Sequence, residues 1–296
     1  MASVPESDVE NVRKKYRKTY EQEFARNNYS RALISAEGVV NMSQPELADL
    51  YGWMTRFCKK VTVIMYLREP VDYTTSVMQQ ILKQGTTLKI MYEKPPVPHY
   101  RARIKKFINV FGQENIKFLV YEEEIRKNFG VMNGFLDILG IEDDDFKDSI
   151  LASQVKTNES LSQLAAHVLD HLNETVPFFI KPGVVNKKRS LWKELDILIG
   201  VGGPKFTPPH DVRQRIYKLT RPDVDWIKTN LNLDPYEGYP DLNEEGHLEM
   251  SQYPADTVSS ISKIILNLVR TSSRQDKLKV RLDSILLKNS CMNYPH

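Results

Sequence analysis

The sequence predicts an α/β protein with a central parallel sheet, flanking helices and a helical C-terminal part. Two runs carry the strands. Val61-Thr-Val-Ile-Met-Tyr-Leu67 is a continuous β-prone apolar stretch, the pattern of a parallel strand covered on both faces. Ile116-Lys-Phe-Leu-Val-Tyr121 is the second. The third observation is that helical periodicities of about ten to fifteen residues lie between and beyond them, the alternation of βαβ units.

The elements follow in order. Val9, Val12, Tyr16, Tyr20 and Phe24 recur at steps of three and four, so residues 6–27 read as an amphipathic helix whose other face is Lys, Arg and Glu. Arg31-Ala-Leu-Ile-Ser-Ala is a short strand candidate ending at Glu37, and Ser43-Gln-Pro-Glu46 matches a capping box opening a helix through residue 58. After the strand at 61–67, Arg68-Glu69-Pro70 stops extended structure, and helices are expected over 71–83 and 99–111. Glu122 to Glu124 open another helix, with acids at the end its dipole favours. Beyond Gly140 the pattern is mostly helical: 160–172, 211–219, 223–231 and a final pair over 257–287. Within that pair Ile261, Ile264, Ile265 and Leu268 share one expected face, and Val280, Leu282, Ile285 and Leu286 lie further on. The segment 235–254, rich in Tyr, Pro, Asp and Gly, is the expected boundary between an α/β domain over 1–235 and a helical extension over 236–296.

Composition bounds the function. With 296 residues there is material for one large α/β domain of about 250 residues or two ordinary ones. Lys plus Arg is 41 and Asp plus Glu 38, a formal net charge of +3, so any anion-binding site is local rather than global, and no nucleic-acid partner is expected. Cys58 and Cys291 form no framework and no metal-ligand spacing, so a reducing, cytoplasmic setting and no metal are expected. There is no apolar leader and no run long enough to span a membrane.

The chemistry concentrates in Leu67-Arg68-Glu69-Pro70-Val71-Asp72-Tyr73-Thr74-Thr75-Ser76. A strand delivers an arginine to the carboxyl edge of a sheet, where open α/β folds bind ligands, and a helix starts at once. Arg68 offers a fork of donors, Ser76 sits one to two turns into the helix, and the helix start adds amides and positive dipole. Such a place suits a phosphate.

At these residues the chain resembles the sulfotransferases that use 3′-phosphoadenosine-5′-phosphosulfate (PAPS), in which an Arg-x-Pro followed by Ser eight residues after the Arg grips the 3′-phosphate. The resemblance gives those roles to Arg68 and Ser76. Ile34-Ser-Ala-Glu37, Phe118-Leu-Val-Tyr-Glu122 with Phe135-Leu-Asp-Ile-Leu-Gly140, and Asn158-Glu-Ser-Leu-Ser162 extend it, in order, toward the bacterial-type and carbohydrate members over residues 30–235. It implies a P-loop nucleoside triphosphate hydrolase-like fold, PAPS as donor, 3′,5′-adenosine bisphosphate as product, no metal, and a hydroxyl acceptor of carbohydrate type.

The departure is at the front. No Lys-Ser/Thr-Gly-Thr loop for the 5′-phosphosulfate precedes Glu37, so two expectations stand: the chain is the downstream part of a longer enzyme, or it is a relative that lost the loop and binds a nucleotide or glycan without transfer. Lys83-Gln-Gly-Thr-Thr-Leu88 imitates the loop but follows a helix and lies after the Arg68 motif; Gly200-Val-Gly-Gly-Pro-Lys-Phe-Thr207 reads as a turn in which Pro204 removes an amide. A kinase-like phosphotransferase is disfavoured for want of a Walker lysine loop.

The remaining candidates each carry two readings. Glu37 stands as general base for the acceptor hydroxyl or as an acid approaching a helix. Glu122, after the second strand, reads as a structural acid before a catalytic one. Lys187, Lys188 and Arg189 close over the nucleotide or form a solvated basic face. His167 and His171, four apart on a helix, lack a third ligand and read as surface histidines.

Overall fold

The computed structural model describes residues 6–26, 31–127, 130–153, 160–181, 183–239 and 253–271. In chain order these form α1 (Glu6–Arg26), α2 (Gln44–Met54), β1 (Val63–Leu67), α3 (Pro70–Lys83), α4 (Leu88–Glu93), α5 (Tyr100–Phe111), β2 (Ile116–Val120) and α6 (Tyr121–Lys127). There follow α7 (Val131–Ile138), α8 (Asp144–Ala152), α9 (Gln163–Thr175), the short strands β3 (Phe179–Lys181) and β4 (Val184–Val185), α10 (Leu191–Ile199) and α11 (His210–Leu231). Residues 255–271 form α12. The protein is α/β and mostly helical. Asn158 and Glu159, and the expected final helix with Val280, Leu282, Ile285 and Leu286, lie outside the described residues.

The chain divides into two compact units, one drawn from 1–73, 97–155 and 215–242, the other from 74–96, 156–214 and 243–296. In the first, β1 and β2 pair in parallel, Val63 opposite Ile116 through Leu67 opposite Val120, so both strands end level. A parallel pair requires a long crossover, here the stretch holding α3, α4 and α5. The sheet is smaller than expected: among the described residues no third strand joins it, and β1 is half-buried until Leu67 rather than covered throughout. Leu47, Phe107, Phe111 and Ile116 form one core cluster, and Leu67, Tyr100, Ile104 and Ile227 a second.

Local chemistry explains several helix starts. Ser43 and Glu46 form a capping box, the Ser43 amide donating to Glu46 at 2.7 Å, although α2 stops at Met54 with Thr55 as its cap rather than running to 58. Residues 31–36 are not a strand. They are exposed, including Leu33 and Ile34, and pair with no strand among the described residues. The two helices expected around Pro222 are one, α11. Ile216, Thr220, Val224 and Ile227 keep a single buried face on both sides of the proline, and that burial outweighs the amide it removes.

In the second unit, Ser162 caps α9 by accepting from the Ala165 amide at 3.2 Å. Leu161, Ala165, Val168, Leu169 and Leu172 are buried there. On α12 the buried side chains are Val258, Ser262, Ile265, Leu266 and Val269, whereas Ile264 and Leu268, expected to share the face of Ile265, are exposed. The Gly85 segment joins α3 to α4 with a positive φ of 98°, where an added Cβ would stand 3.0 Å from that of Phe178. Gly200 to Thr207 runs back past Leu161, whose carbonyl accepts from the Phe206 amide at 3.0 Å.

Candidate functional site

Because β1 and β2 end level, Arg68-Glu69 and Tyr121-Glu122 leave the sheet side by side. The Arg68 backbone is held by one phenol: Tyr100 Oη accepts from the Arg68 amide at 3.0 Å and donates to the Arg68 carbonyl at 2.7 Å. Tyr100 is buried, and burial pushes its hydroxyl far above the usual range, so it stays a neutral donor. The Arg68 guanidinium lies 5.3 Å from the centre of the Tyr121 ring, and its Nε is 3.8 Å from Glu122 Oε1. The Arg68 side chain is 35% exposed, enough to meet a ligand. Alongside, Arg103 Nη1 donates to the Tyr73 hydroxyl at 3.1 Å.

Glu69 corrects one sequence expectation. Its carboxylate accepts from the amides of Val71 at 2.7 Å and Asp72 at 2.6 Å, and its carbonyl accepts from Tyr73, so Glu69 is the N-cap of α3 with Pro70 at the first helical position. The amides expected to hold an outside anion are filled from within the chain. Glu69 is 3% exposed, and desolvation, against those two hydrogen bonds and with the charges of Asp72 and Glu122 adding, pushes its carboxyl up to about 8. Its backbone amide donates to Glu122 Oε2 at 3.0 Å. Glu122 is also shifted upward, chiefly by desolvation, with the Glu69 hydrogen bond and Arg68 pulling back. One carboxylate thus ties the two strand ends together.

Ser76 is half-buried on α3; the division between the units falls within that helix, after Tyr73. Glu37 is exposed and opens a short 3-10 turn, Glu37–Asn41, instead of ending a strand at the sheet edge. Lys187 and Lys188 are exposed. Arg189 is not part of a basic face. It is buried, and its Nε bonds both oxygens of Glu194 at 2.9 and 2.7 Å. Nη1 bonds the carbonyls of Leu172 at 2.9 Å and Val176 at 2.7 Å, and Nη2 bonds Asn173 Oδ1 at 3.1 Å. A guanidinium spent this way staples the end of α9 to the segment before α10 and has no fork left for a nucleotide.

His167 is half-buried, 3.1 Å from Gln163 Nε2 and edge-on to Tyr253; desolvation lowers its pKa. Among the described residues no group of three or more His, Cys, Asp or Glu side chains is placed to hold a metal, and no helix is long and apolar enough to cross a membrane.

Tyr100 and the capping role of Glu69 escape sequence reasoning. The Glu-Pro pair after Arg68 was the available signal for the cap, since Pro prefers the first helical position. Tyr100 carries no local signal, because its partner lies across the crossover. No protein-family model matches the chain, and no curated protein or solved structure is significantly similar to it.

Proposed function

We propose that the chain is a sulfotransferase of P-loop-like fold that moves a sulfuryl group from PAPS to a hydroxyl acceptor of carbohydrate type. The observation that carries this is Arg68, at the carboxyl end of a parallel strand: its backbone is held by Tyr100 and its partly exposed guanidinium lies against Tyr121 and Glu122. In this reading Arg68 takes the 3′-phosphate, and the sequence resemblance adds the Ser76 hydroxyl to the same group. The acceptor oxygen attacks sulfur, the bond from sulfur to the 5′-phosphate oxygen breaks, and the products are a sulfate ester and 3′,5′-adenosine bisphosphate. The acceptor proton goes to a carboxylate, for which the sequence offers Glu37, exposed at the start of its 3-10 turn rather than at the sheet edge. Transfer of this kind rests on positioning and charge neutralisation more than on covalent help.

A second reading, binding of the nucleotide or a glycan without transfer, is supported by Glu69, whose carboxylate already occupies the helix amides that would otherwise neutralise donor charge. Calorimetric titration with 3′,5′-adenosine bisphosphate, beside Arg68→Ala, tests both. Binding lost in the variant supports the phosphate site, and turnover of PAPS in the presence of carbohydrate acceptors then separates the two readings. A folded chain that binds no nucleotide overturns the sulfotransferase assignment.

A further inference from the structure

Residues 11–20 of α1 read Asn-Val-Arg-Lys-Lys-Tyr-Arg-Lys-Thr-Tyr, with cations at Arg13, Lys14, Lys15, Arg17 and Lys18 and no acid. All are exposed. The C-terminal half of α1 is anchored: Tyr20 and Phe24 pack on Trp53, Phe24 also on Phe57, and Glu21 accepts from Trp53 Nε1 at 3.0 Å and pairs with Arg56 at 3.1 Å. The apolar stripe continues at steps of four through Tyr16 and Val12, where Val12 is 52%, Tyr16 62% and Tyr20 53% exposed. A helical half without packing is marginal alone, so its occupant matters.

Charge selects that occupant. A second copy of α1, laid parallel in register or antiparallel about its centre, would set the Arg13–Lys18 run against the same run and repel. A nucleic-acid backbone would satisfy the cations and leave Val12 and Tyr16 facing no apolar surface. An anionic bilayer offers phosphates and an acyl boundary at adjacent depths, matching a basic helix with an aromatic and aliphatic stripe. The acids of the same helix lie outside the run, Glu6, Asp8 and Glu10 before it and Glu21 and Glu23 after it; Glu10 shares Lys14 at 3.0 Å in an exposed pair, Glu21 is taken by Arg56, and Glu46 feels the charge of Arg13. We propose that α1 docks the protein on anionic lipid surfaces, with Val12 and Tyr16 toward the acyl boundary and the cations on the headgroup phosphates. The proposal stands apart from the nucleotide reading.

The test is co-sedimentation of the full chain with phosphatidylcholine vesicles, with and without phosphatidylserine, at low and high salt. Binding should require phosphatidylserine and weaken with salt. Substituting Lys15, Arg17 and Lys18 together by Ser should weaken it by about a hundredfold, and Tyr16→Ser by about tenfold, with thermal melting of both variants unchanged since the sites are exposed. Equal binding to phosphatidylcholine alone, no binding by the wild-type chain, or an undiminished triple variant overturns the proposal. So does retention of an RNA or DNA oligonucleotide without vesicle binding, which would give the surface to nucleic acid.

Discussion

The phenol of Tyr100 clasps the backbone of Arg68 from both sides, accepting from its amide at 3.0 Å and donating to its carbonyl at 2.7 Å. Arg68 is therefore positioned by a residue on a helix that comes between the two strands in sequence, and the edge of the sheet depends on that helix being packed.

Tyr100→Phe keeps the ring in its cluster and deletes both hydrogen bonds, leaving a backbone donor and acceptor at Arg68 without this partner. We expect a loss of about 1–3 kcal/mol in urea unfolding and weaker binding of 3′,5′-adenosine bisphosphate. An unchanged midpoint and unchanged affinity would show that water replaces the phenol without consequence.

Arg68→Lys separates charge from geometry. Lysine keeps the positive charge but loses the planar fork and the stacking on Tyr121, so nucleotide affinity should fall between those of wild type and Arg68→Ala. Stability should change by less than about 1 kcal/mol in both variants, because the pair with Glu122 is partly exposed. Equal affinities for the lysine and wild-type proteins would reduce Arg68 to a point charge.

The raised carboxyl of Glu69 makes stability depend on pH. Its folded value of about 8 lies above the ordinary 4.5, so the folded state binds the proton more tightly. The contribution is full below about pH 4.5 and is lost as pH rises through 8, by up to about 5 kcal/mol. Glu122 shifts in the same direction. Glu69→Gln should be less stable at pH 5, where one cap bond is missing, and flatter between pH 5 and 9. Identical slopes in denaturant titrations of the two proteins would contradict this.

Arg189→Met should cost about 3–5 kcal/mol, because Glu194 would remain buried without its partner, while Lys187→Ala and Lys188→Ala should stay within about 0.5 kcal/mol. A nucleotide-contacting Arg189 would instead lower affinity and leave unfolding unchanged. Calorimetry and urea unfolding on one preparation distinguish the two roles.

Loss of the Ser43 cap in Ser43→Ala should destabilise the protein by about 1 kcal/mol, read from the thermal midpoint, without touching nucleotide affinity.

Legibility in the sequence followed the range of the interactions. The strand after Val61, the helix after Pro70, the Ser43 capping box and the second strand at Ile116 are written in residues within a few positions of one another, and each formed. The strand at Arg31 did not form: residues 31–36 are exposed and pair with no strand among the described residues, and periodicity alone does not say whether a strand will be joined to a sheet. The face of α12 was misjudged for a similar reason: Ile264, Ile265, Leu266 and Leu268 are all apolar, and only packing decides which of them turn inward.

At the candidate site the same division holds. The sequence by itself determined that an arginine leaves the first strand just before a proline-started helix, and that an acid stands in the matching place after the second strand. Only the tertiary structure decided that Glu69 fills the helix amides, that Glu122 joins the two strand ends, that Tyr100 holds Arg68, and that Arg189 is spent on Glu194. A charged or polar group takes the partner that best repays its desolvation, and that partner is known only when residues far apart in the chain are brought together.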